Sequence, residues 1–310
     1  MSLIRKMSHG IGLPESYLIN LARSASHRYK TYRIPKRSGG ERTIHHPSKE
    51  LKAVQRWLLR YVVSDFPVHE AAMAYRTNVG IRMNALAHAG SRYLLRVDIR
   101  DFFPSITADD IAGLLHQERP DWAEVDNEFF VALVCRERIL TIGAPTSPAL
   151  SNSVCHDLDT RLSATVKQRG VAYTRYADDL FFSTRRSGVM WDIPELVEAL
   201  LRELPIPSRL RVHPEKTRHS SMRGKRQVTG LVLTPRGRVT IGRERKRKIR
   251  AMIHQYEALS PVARRELAGL LAFAKGVEPD FINALIVKYG KADVDRARQM
   301  EPIDDERDFT

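Results

Sequence analysis

Two adjacent aspartates stand in the middle of an apolar, aromatic-rich run, VAYTRYADDLFF, which extends from Val171 to Phe182. The residues on both sides favour β-strands, so the pattern predicts a hairpin with Asp178 and Asp179 at its tip. Buried carboxylates without a partner are costly, and a compensating cation, either Arg175 or a bound metal, is therefore expected beside them. A surface turn closed by a salt bridge is the alternative, but the apolar flanks argue against it.

A third aspartate lies near the end of another predicted strand. In the stretch SRYLLRVDIR, apolar side chains on one face alternate with Arg96 and Asp98 on the other. If this strand end lies beside the hairpin tip, Asp98, Asp178 and Asp179 together present hard oxygen ligands. Such ligands suit Mg²⁺ and phosphoryl transfer by two metal ions about 3.5–4 Å apart.

The charge balance indicates which partner such a site serves. The 310 residues contain 51 Lys and Arg against 36 Asp and Glu, and a formal charge of +15 is expected of a protein that binds a polyanion. Nucleic acid is favoured over a membrane surface, because no run approaches the ~18 apolar residues of a spanning helix. MSLIRKMSHG lacks the apolar core of a signal peptide, so we expect a soluble, cytoplasmic protein. The two cysteines, Cys135 and Cys155, are expected to be reduced and buried.

Local patterns predict the remaining elements. YRIPKRSGGERTI predicts two extended arms around a turn, and Thr107 with Asp110 forms a capping-box pattern that opens a helix. QVTGLVL and RVTIG are each predicted as one strand, and the basic block RERKRKIR after Gly242 begins an amphipathic helix. Further helices are predicted after Pro47 and over residues 129–140, 148–162 and 194–204. The acidic tail EPIDDERDFT is expected to be frayed.

Five short motifs follow one another in an order typical of reverse transcriptases. IPKRSGGERTIHHP resembles the fingers motif, VDIRDFFPSI the first palm aspartate motif, GAPTSPALSN the motif after it, YADDLFF the YxDD hairpin and VHPEKTR a lysine-bearing motif. Each match alone is weak, but five in the family's order are specific. NALAH, from Asn84 to His88, and VTG, from Val228 to Gly230, further resemble the NAxxH and VTG elements of retron reverse transcriptases. By this resemblance the chain is identified as a member of that family.

The resemblance implies an α+β fold of the right-hand polymerase type. Fingers and N-terminal helices are expected over residues 1–92, a palm over residues 93–240 and a helical thumb over residues 241–310. The palm is expected to contain an antiparallel sheet and helices, with a helical insertion on the fingers side at about residues 106–140.

The resemblance also assigns roles at the metal site. Asp98 and Asp178 are expected to bind both of two Mg²⁺ ions, with the carbonyl of Ile99 as an additional ligand. Asp179 is expected to be a weaker or outer ligand, because successive strand residues face opposite ways unless the turn rotates one of them. Bound metals would lower the pKa of the primer hydroxyl, stabilise the developing charge and orient the pyrophosphate.

Several residues match those that bind the incoming deoxynucleotide in this family. They are Lys36, Arg42, Ile99, Phe103, Gly143 and Lys216. Lys36 and Arg42 match fingers residues that hold the triphosphate, where a guanidinium suits phosphate geometry. Lys216 matches a lysine proposed to protonate the leaving pyrophosphate, and a solvated surface lysine is the alternative.

Two further positions, Phe103 and Ile142, bear on how the substrate is selected. Phe103, five residues after Asp98, matches the aromatic gate that excludes a 2′-hydroxyl, and a core phenylalanine beside Phe102 is the alternative. Ile142 stands before Gly143 where many relatives have Gln. A contact of that side chain with nucleotide or template is therefore lost or replaced.

A second group of residues is expected to contact nucleic acid. It comprises Asn84, His88, Val228, Thr229, Gly230, Arg245, Lys246, Arg247 and Lys248. The basic helix fits a thumb that holds the template–primer backbone, because phosphate contacts position a duplex without reading its sequence. A solvated charged face is the alternative for the helix, and a structural histidine is the alternative for His88.

The predicted function is that of an RNA-directed DNA polymerase of a retron. The resemblance implies that deoxynucleotides are added on a dedicated structured noncoding RNA, starting from a guanosine 2′-hydroxyl, to give branched RNA-linked single-stranded DNA (msDNA). It also implies an accessory effector protein and a role in anti-phage defence. The alternatives are another stand-alone reverse transcriptase, of the intron or abortive-infection type, and a noncatalytic RNA-binding scaffold. Three metal-ready carboxylates argue against the scaffold.

Overall fold

The computed structural model describes residues 1–35 and 39–299. Lys36, predicted to bind the triphosphate, and the acidic tail EPIDDERDFT lie outside the described residues. The chain forms two compact units, one of Met1–Gly80 with Tyr93–His219 and one of Ile81–Arg92 with Ser220–Thr310. The division into fingers, palm and thumb stays a prediction, and the observed units group residues 81–92 with the C-terminal segment.

Helices occupy much of the described chain. In chain order they are α1 (Leu3–Ile11), α2 (Glu15–Arg23), α3 (Lys49–Tyr61), α4 (Ile81–His88), α5 (Ala108–Glu118), α6 (Glu124–Val134), α7 (Ser147–Val154), α8 (His156–Gln168), α9 (Ile193–Glu203), α10 (Arg243–His254), α11 (Pro261–Val277), α12 (Pro279–Tyr289) and α13 (Lys291–Arg298). Short 3₁₀ turns lie at Ala25–His27, Val63–Asp65, Pro214–Lys216 and Tyr256–Ala258. Within the described ranges, no helix combines the length and the apolar character needed to cross a bilayer.

Strands form separate antiparallel groups. They are β1 (Tyr29–Pro35), β2 (Glu41–Pro47), β3 (Tyr93–Asp98), β4 (Ala172–Tyr176), β5 (Asp179–Thr184), β6 (Arg218–Ser221), β7 (Arg226–Val228), β8 (Leu231–Leu233) and β9 (Val239–Thr240). β1 pairs with β2, a four-stranded sheet has the order β4–β5–β3–β6, and a third sheet has the order β7–β8–β9. Helices combined with antiparallel sheets confirm the predicted α+β class.

The first unit forms where local patterns and tertiary packing agree. Ser48 caps the start of α3, because its hydroxyl accepts a hydrogen bond from the Leu51 N–H, and the helix buries Leu51, Val54 and Leu58 on one face. The capping box at the start of α5 is present in full, with the Thr107 and Asp110 side chains each accepting from the other residue's backbone N–H. The core of this unit packs around β3 and β5, whose apolar residues Leu95, Val97, Leu180 and Phe182 are buried.

Two helix predictions in the first unit were wrong in their bounds. α6 ends at Val134, because Cys135 is extended and Glu137 and Arg138 both have positive φ in a tight turn that joins Arg136 to Ile139. The segment 148–162, predicted as one helix, is divided between α7 and α8. Cys155 lies between these two helices, and its backbone departs from helical geometry. It is the C-cap of α7 and the N-cap of α8.

The second unit places α4 against the three-stranded sheet of β7, β8 and β9. QVTGLVL, predicted as one strand, is a hairpin in which Val228 pairs with Leu231. Thr229 and Gly230 form its turn with φ values of 47° and 78°. A two-residue hairpin turn of type I′ requires positive φ at both positions, which explains why the glycine interrupts the run. α10 buries Ile249 and its neighbours on one face, as predicted.

Candidate active site

The strand register brings the predicted carboxylates together. Asp98, the last residue of β3, is directly opposite Asp179, the first residue of β5. Side chains of directly opposed residues lie on the same face of a sheet. The Ile99 N–H donates a 2.9 Å hydrogen bond to the Asp178 carbonyl, which joins the hairpin tip to the end of β3.

The tip of the β4–β5 hairpin makes its two aspartates inequivalent, as predicted. Tyr176 pairs with Asp179, so Ala177 and Asp178 form a two-residue turn. Ala177 has a φ of 57°, a left-handed conformation that few non-glycine residues adopt. Asp179 consequently belongs to the strand ladder, whereas Asp178 lies in the turn beyond it.

Two basic side chains neutralise this acidic cluster. Both Nε and Nη2 of Arg96 lie 2.7 Å from Oδ1 of Asp179, and Nη2 lies 3.6 Å from Oδ2 of Asp98. Lys216 Nζ donates to Oδ1 of Asp98 at 3.0 Å. Both oxygens of the buried Asp98 carboxylate therefore face a cation, and the predicted metal-site and lysine residues share one site.

Arg175, one of the two cations expected beside the aspartates, does not compensate them. Arg175 pairs across the hairpin with Leu180, so its side chain lies on the opposite face from Asp179. There it is buried and forms a bidentate ion pair with Asp159, with Nη2–Oδ2 at 2.6 Å. Arg96 compensates the cluster instead. Strand alternation from Asp98 already placed Arg96 on the correct face, whereas no sequence feature identified Asp159.

Burial makes the negative charges of the hairpin aspartates unfavourable. The pKa of Asp178 is raised, first by burial and then by the charge of Asp98. The pKa of Asp179 is raised to about 6 by burial, although Arg96 opposes the shift. A cation bound between the carboxylates would lower their pKa values again, because it favours their charged forms.

These oxygen ligands suit a divalent cation whose coordination is completed by the substrate. Among the described residues, no group of three or more His, Cys, Asp or Glu side chains is arranged to hold a metal ion by itself. Asp179 is held by Arg96, so the candidate ligands are the carboxylates of Asp178 and of Asp98, which Lys216 also contacts, next to the backbone of Ile99. Mg²⁺ characteristically binds one or two carboxylates together with waters and substrate phosphates, so this open arrangement suits it.

Aromatic side chains lie next to the carboxylates. Phe102 is buried, whereas Phe103 is only partly buried against the core, with the two rings 5.4 Å apart. The Phe103 ring also lies 6.2 Å from the ring of Tyr75, which is 48% exposed. Phe103 therefore packs against the core with part of its ring and leaves another part accessible, and its role as a gate stays a prediction. Sequence reasoning missed Tyr75.

The GAPTSP segment contacts the β1–β2 arm through its backbone. The His45 N–H of β2 donates to the Ile142 carbonyl at 2.8 Å. A Cβ on Gly143, which has a φ of 119°, would lie 2.5 Å from the His45 carbonyl oxygen. Only glycine permits this approach. Arg42 is exposed on β2, and its predicted triphosphate contact stays a prediction, as does the nucleotide role of Gly143.

A buried polar network supports the segment that contains Tyr75. Asn152 accepts from Arg175 Nη1 at 3.1 Å and donates to the Ala74 carbonyl at 2.8 Å. The Tyr173 hydroxyl donates to Asp159 at 2.7 Å. Tyr75 itself has a φ of 62°. A bulky residue in this conformation costs about 1–3 kcal/mol, so the surrounding contacts must hold it there.

The NAxxH and VTG elements meet inside the second unit. Asn84 and His88 are fully buried on one face of α4, and burial lowers the pKa of His88 to about 4. Val228 is buried as well, and the Thr229 hydroxyl donates to the Ile81 carbonyl at 3.3 Å. The prediction that these side chains contact nucleic acid is therefore unsupported for Asn84, His88 and Val228, whose positions favour a structural role.

The basic side chains of α10 differ in their surroundings. Arg245 donates to the Gly230 carbonyl at 2.7 Å, Lys246 lies 2.5 Å from Glu278, and Lys248 pairs with Glu266. Arg247 is exposed and has no ion-pair partner among the described residues. Contact with nucleic acid stays a prediction for all four, and Arg247 is the residue whose charge is most available.

Comparison with known proteins places this site in a family. Residues 34–252 match the family model described as reverse transcriptase (RNA-dependent DNA polymerase). The chain is 34% identical over 291 residues to the retron Ec83 reverse transcriptase of Escherichia coli, covering 91% of this chain and 93% of that protein. It is 32% identical to the E. coli retron Ec86 reverse transcriptase over 96% of this chain and 94% of that protein. The retron Mx162 reverse transcriptase of Myxococcus xanthus is 37% identical over 83% of this chain and 59% of its own length.

Solved structures agree at the level of the fold. A telomerase from Candida tropicalis, solved in complex with a TWJ fragment of telomeric RNA, superimposes with a TM-score of 0.50 at 12% identity. The match covers 89% of this chain and 59% of that one, so the chain spans about three-fifths of the telomerase.

Proposed function

The chain belongs to the retron reverse transcriptases and is an RNA-directed DNA polymerase with an RNA template as its partner, and from this premise we propose that it makes msDNA on a dedicated RNA. In this proposal the template is a structured noncoding RNA, and a guanosine 2′-hydroxyl in the same RNA is the primer. The product is single-stranded DNA that remains linked to the RNA as a branch. An accessory effector protein and a role in anti-phage defence are part of the same proposal.

The observation that supports the chemistry is the opposed arrangement of Asp98 and Asp179 with Asp178 at the tip. Reverse transcriptases use divalent cations, and we assign two Mg²⁺ to Asp98, Asp178 and the Ile99 carbonyl, with Asp179 as a weaker ligand. When bound, Mg²⁺ lowers the pKa of the attacking hydroxyl and stabilises charge on the transferred phosphate.

The protein's own side chains position the substrates around that centre. Arg96 holds Asp179 in the strand ladder, so that its carboxylate stays oriented. Lys216, which contacts Asp98, donates a proton to the departing pyrophosphate in this proposal. Arg42, with Lys36, holds the triphosphate of the deoxynucleotide, and Phe103 excludes a 2′-hydroxyl.

Recognition of one particular RNA is assigned to the second unit. The VTG turn contacts the start of α4 through the Thr229 hydroxyl, so the two retron-type elements form one structural feature. Gly230 is exposed at this turn, and the α10 arginines follow it. Structured RNA is recognised mainly by shape, 2′-hydroxyls and splayed bases, which suits a small rigid turn beside cationic side chains.

The test is to purify the protein from cells that also express its native flanking locus, and to analyse the bound nucleic acid. Separate digestion with RNase and DNase should reveal DNA whose mobility increases after RNase treatment, because a branched RNA is attached. The Asp178→Asn variant should retain the RNA and lack the DNA, since the lost charge removes a metal ligand. Bound DNA that RNase leaves unchanged, or an active Asp178→Asn enzyme, would contradict the proposal.

A further inference from the structure

The segment before α4 is attached to the edge of the catalytic hairpin. β4 is the outer strand of its sheet, and Ala72 forms a parallel bridge with Arg175 on that edge. The Arg175 N–H donates to the Ala71 carbonyl and the Met73 N–H donates to the Arg175 carbonyl, both at 2.7 Å. The segment therefore follows the strand that carries Asp178 at its end.

The next residues turn the chain so that a single aromatic side chain points outward. Ala74 is 1% exposed, and its carbonyl is held by Asn152 at 2.8 Å. Tyr75 immediately after it has positive φ and is 48% exposed. A strained backbone that persists between fixed contacts is a feature of functional sites.

The Tyr75 ring lies near residues that the proposal assigns to the nucleotide. It is 6.2 Å from the Phe103 ring, with the ring planes inclined at 49°. Its phenol also interacts electrostatically with Asp178 and, in the opposite sense, with Arg42. Burial and the charge of Asp178 raise the pKa of Tyr75, so the phenol is neutral at physiological pH and presents an apolar face with one O–H donor.

We infer that Tyr75 is a substrate-contacting residue that, together with Phe103, bounds the sugar of the incoming deoxynucleotide. The two rings are neighbours, and the Tyr75 phenol interacts with both Asp178 and Arg42. An aromatic face packs against a deoxyribose ring without a hydrogen-bonding group directed at the 2′ position. The Arg175–Asp159 ion pair and Asn152 hold the backbone that presents the ring.

The inference rests on the proposed nucleotide site, but the two fail separately. Loss of the catalytic centre abolishes DNA synthesis, as in Asp178→Asn. Loss of the sugar wall should instead raise the KM for deoxynucleotides and weaken discrimination against ribonucleotides, while kcat and RNA binding are preserved.

The experiment compares Tyr75→Asn, Tyr75→Phe and the exposed control Tyr17→Asn on an annealed RNA template and DNA primer. Asparagine tolerates positive φ, so Tyr75→Asn removes the ring without adding backbone strain. Its KM for deoxynucleotides should rise about tenfold, the value of one aromatic contact. Tyr75→Phe keeps the ring and should stay within about twofold of wild type, as should Tyr17→Asn, whose side chain lies on α2.

Two results would overturn the inference. One is a well-folded Tyr75→Asn enzyme with wild-type KM and wild-type sugar discrimination. The other is a Tyr75→Asn enzyme in which kcat, kcat/KM and the thermal unfolding midpoint all fall together. That result would show that Tyr75 only stabilises the segment around it. If Tyr75→Asn does not fold, Tyr75→Gly provides the same comparison, because glycine adopts positive φ freely.

Discussion

Asp98 and Asp179 face each other across neighbouring antiparallel strands, with both carboxylates on one face of the sheet. Like charges at directly opposed positions destabilise a strand pair. Arg96, two residues before Asp98, reaches both carboxylates and offsets this repulsion in the metal-free protein. Arg96 is thus a structural requirement of the acidic site, and its removal should have a measurable effect.

Replacing Arg96 with Gln should lower the free energy of unfolding of the metal-free protein by about 1–2 kcal/mol. The effect is smaller than for a fully buried pair, because the Arg96 side chain is 41% exposed. Mg²⁺ should recover more stability in Arg96→Gln than in wild type, since a bound cation compensates the same charges. Urea unfolding with and without Mg²⁺ measures both quantities. An equal response of the two proteins to Mg²⁺ would show that Arg96 does not neutralise the carboxylates that we propose as metal ligands.

Phe103→Ala should admit ribonucleotides, because the shortened side chain removes a clash with the 2′-hydroxyl. The ratio of kcat/KM for a deoxynucleotide to that for the matching ribonucleotide should fall by more than tenfold if one clash sets discrimination. Phe102→Leu is the control, since Phe102 is buried and faces the core. Unchanged discrimination in a folded Phe103→Ala protein would assign this ring to the core.

Among the basic side chains of α10, Arg247 should contribute most to nucleic-acid binding. Arg247→Ala should weaken binding to any template–primer and reduce the salt slope of log K by about 1, because one phosphate contact is lost. Lys246→Ala is the matched control. Its ammonium already binds Glu278, so thermal stability should decrease while the slope changes less. Binding titrations at several salt concentrations distinguish the two residues. If Arg247→Ala and Lys246→Ala have the same salt slope as wild type, the basic face of α10 is only solvated.

Thr229→Val should separate recognition of the cognate RNA from general polymerase activity. The substitution removes the hydroxyl that donates to the Ile81 carbonyl, and a net hydrogen bond corresponds to about a three- to tenfold effect. Self-primed synthesis on the cognate noncoding RNA should fall by that factor, whereas extension of an annealed primer on an arbitrary RNA should survive. Thr229→Ser retains the hydroxyl and should behave as wild type. Equal losses in both assays would show that the VTG turn does not take part in RNA recognition.

His88 should make the stability of the protein sensitive to acid. Its folded pKa of about 4 lies below the ordinary value of 6.5, so between these values the unfolded state binds the additional proton. Stability is therefore complete above about pH 6.5 and decreases toward pH 4, with a loss of about 2 kcal/mol between pH 7 and pH 5. Urea unfolding of wild type and His88→Gln over this range gives the two slopes. Parallel slopes would mean that His88 is not the group responsible.

Sequence patterns predicted the elements whose signals are local. The apolar stripe of α3, the capping box at Thr107 and the alternation that ends at Asp98 are set by neighbouring residues, and each is present. The hairpin tip at Asp178 was likewise predicted, since apolar strands flank it on both sides.

Predictions failed where distant packing or a turn decided the outcome. Whether Arg96 or Arg175 neutralises the aspartates depends on which face each strand residue occupies, and the two-residue tip fixes that register. In QVTGLVL the glycine was a turn signal that the apolar run obscured. The positive φ of Tyr75 has no local signal at all, because it is imposed by contacts with Asn152 and β4.

α4 is synthesised long before the sheet on which it packs, so the second unit can fold only late in translation. Ile81 and the hydroxyl that binds its carbonyl are 148 positions apart. At about 5–20 residues per second, the ribosome adds Thr229 roughly 7–30 s after Ile81. The second segment of the first unit, Tyr93–His219, is synthesised within that interval, whereas α4 has no sheet to bury Asn84 and His88. A nascent chain arrested near Ser220 would therefore contain Asp98, Asp178 and Asp179 and an uncovered α4, which makes this helix the expected binding site for chaperones during synthesis.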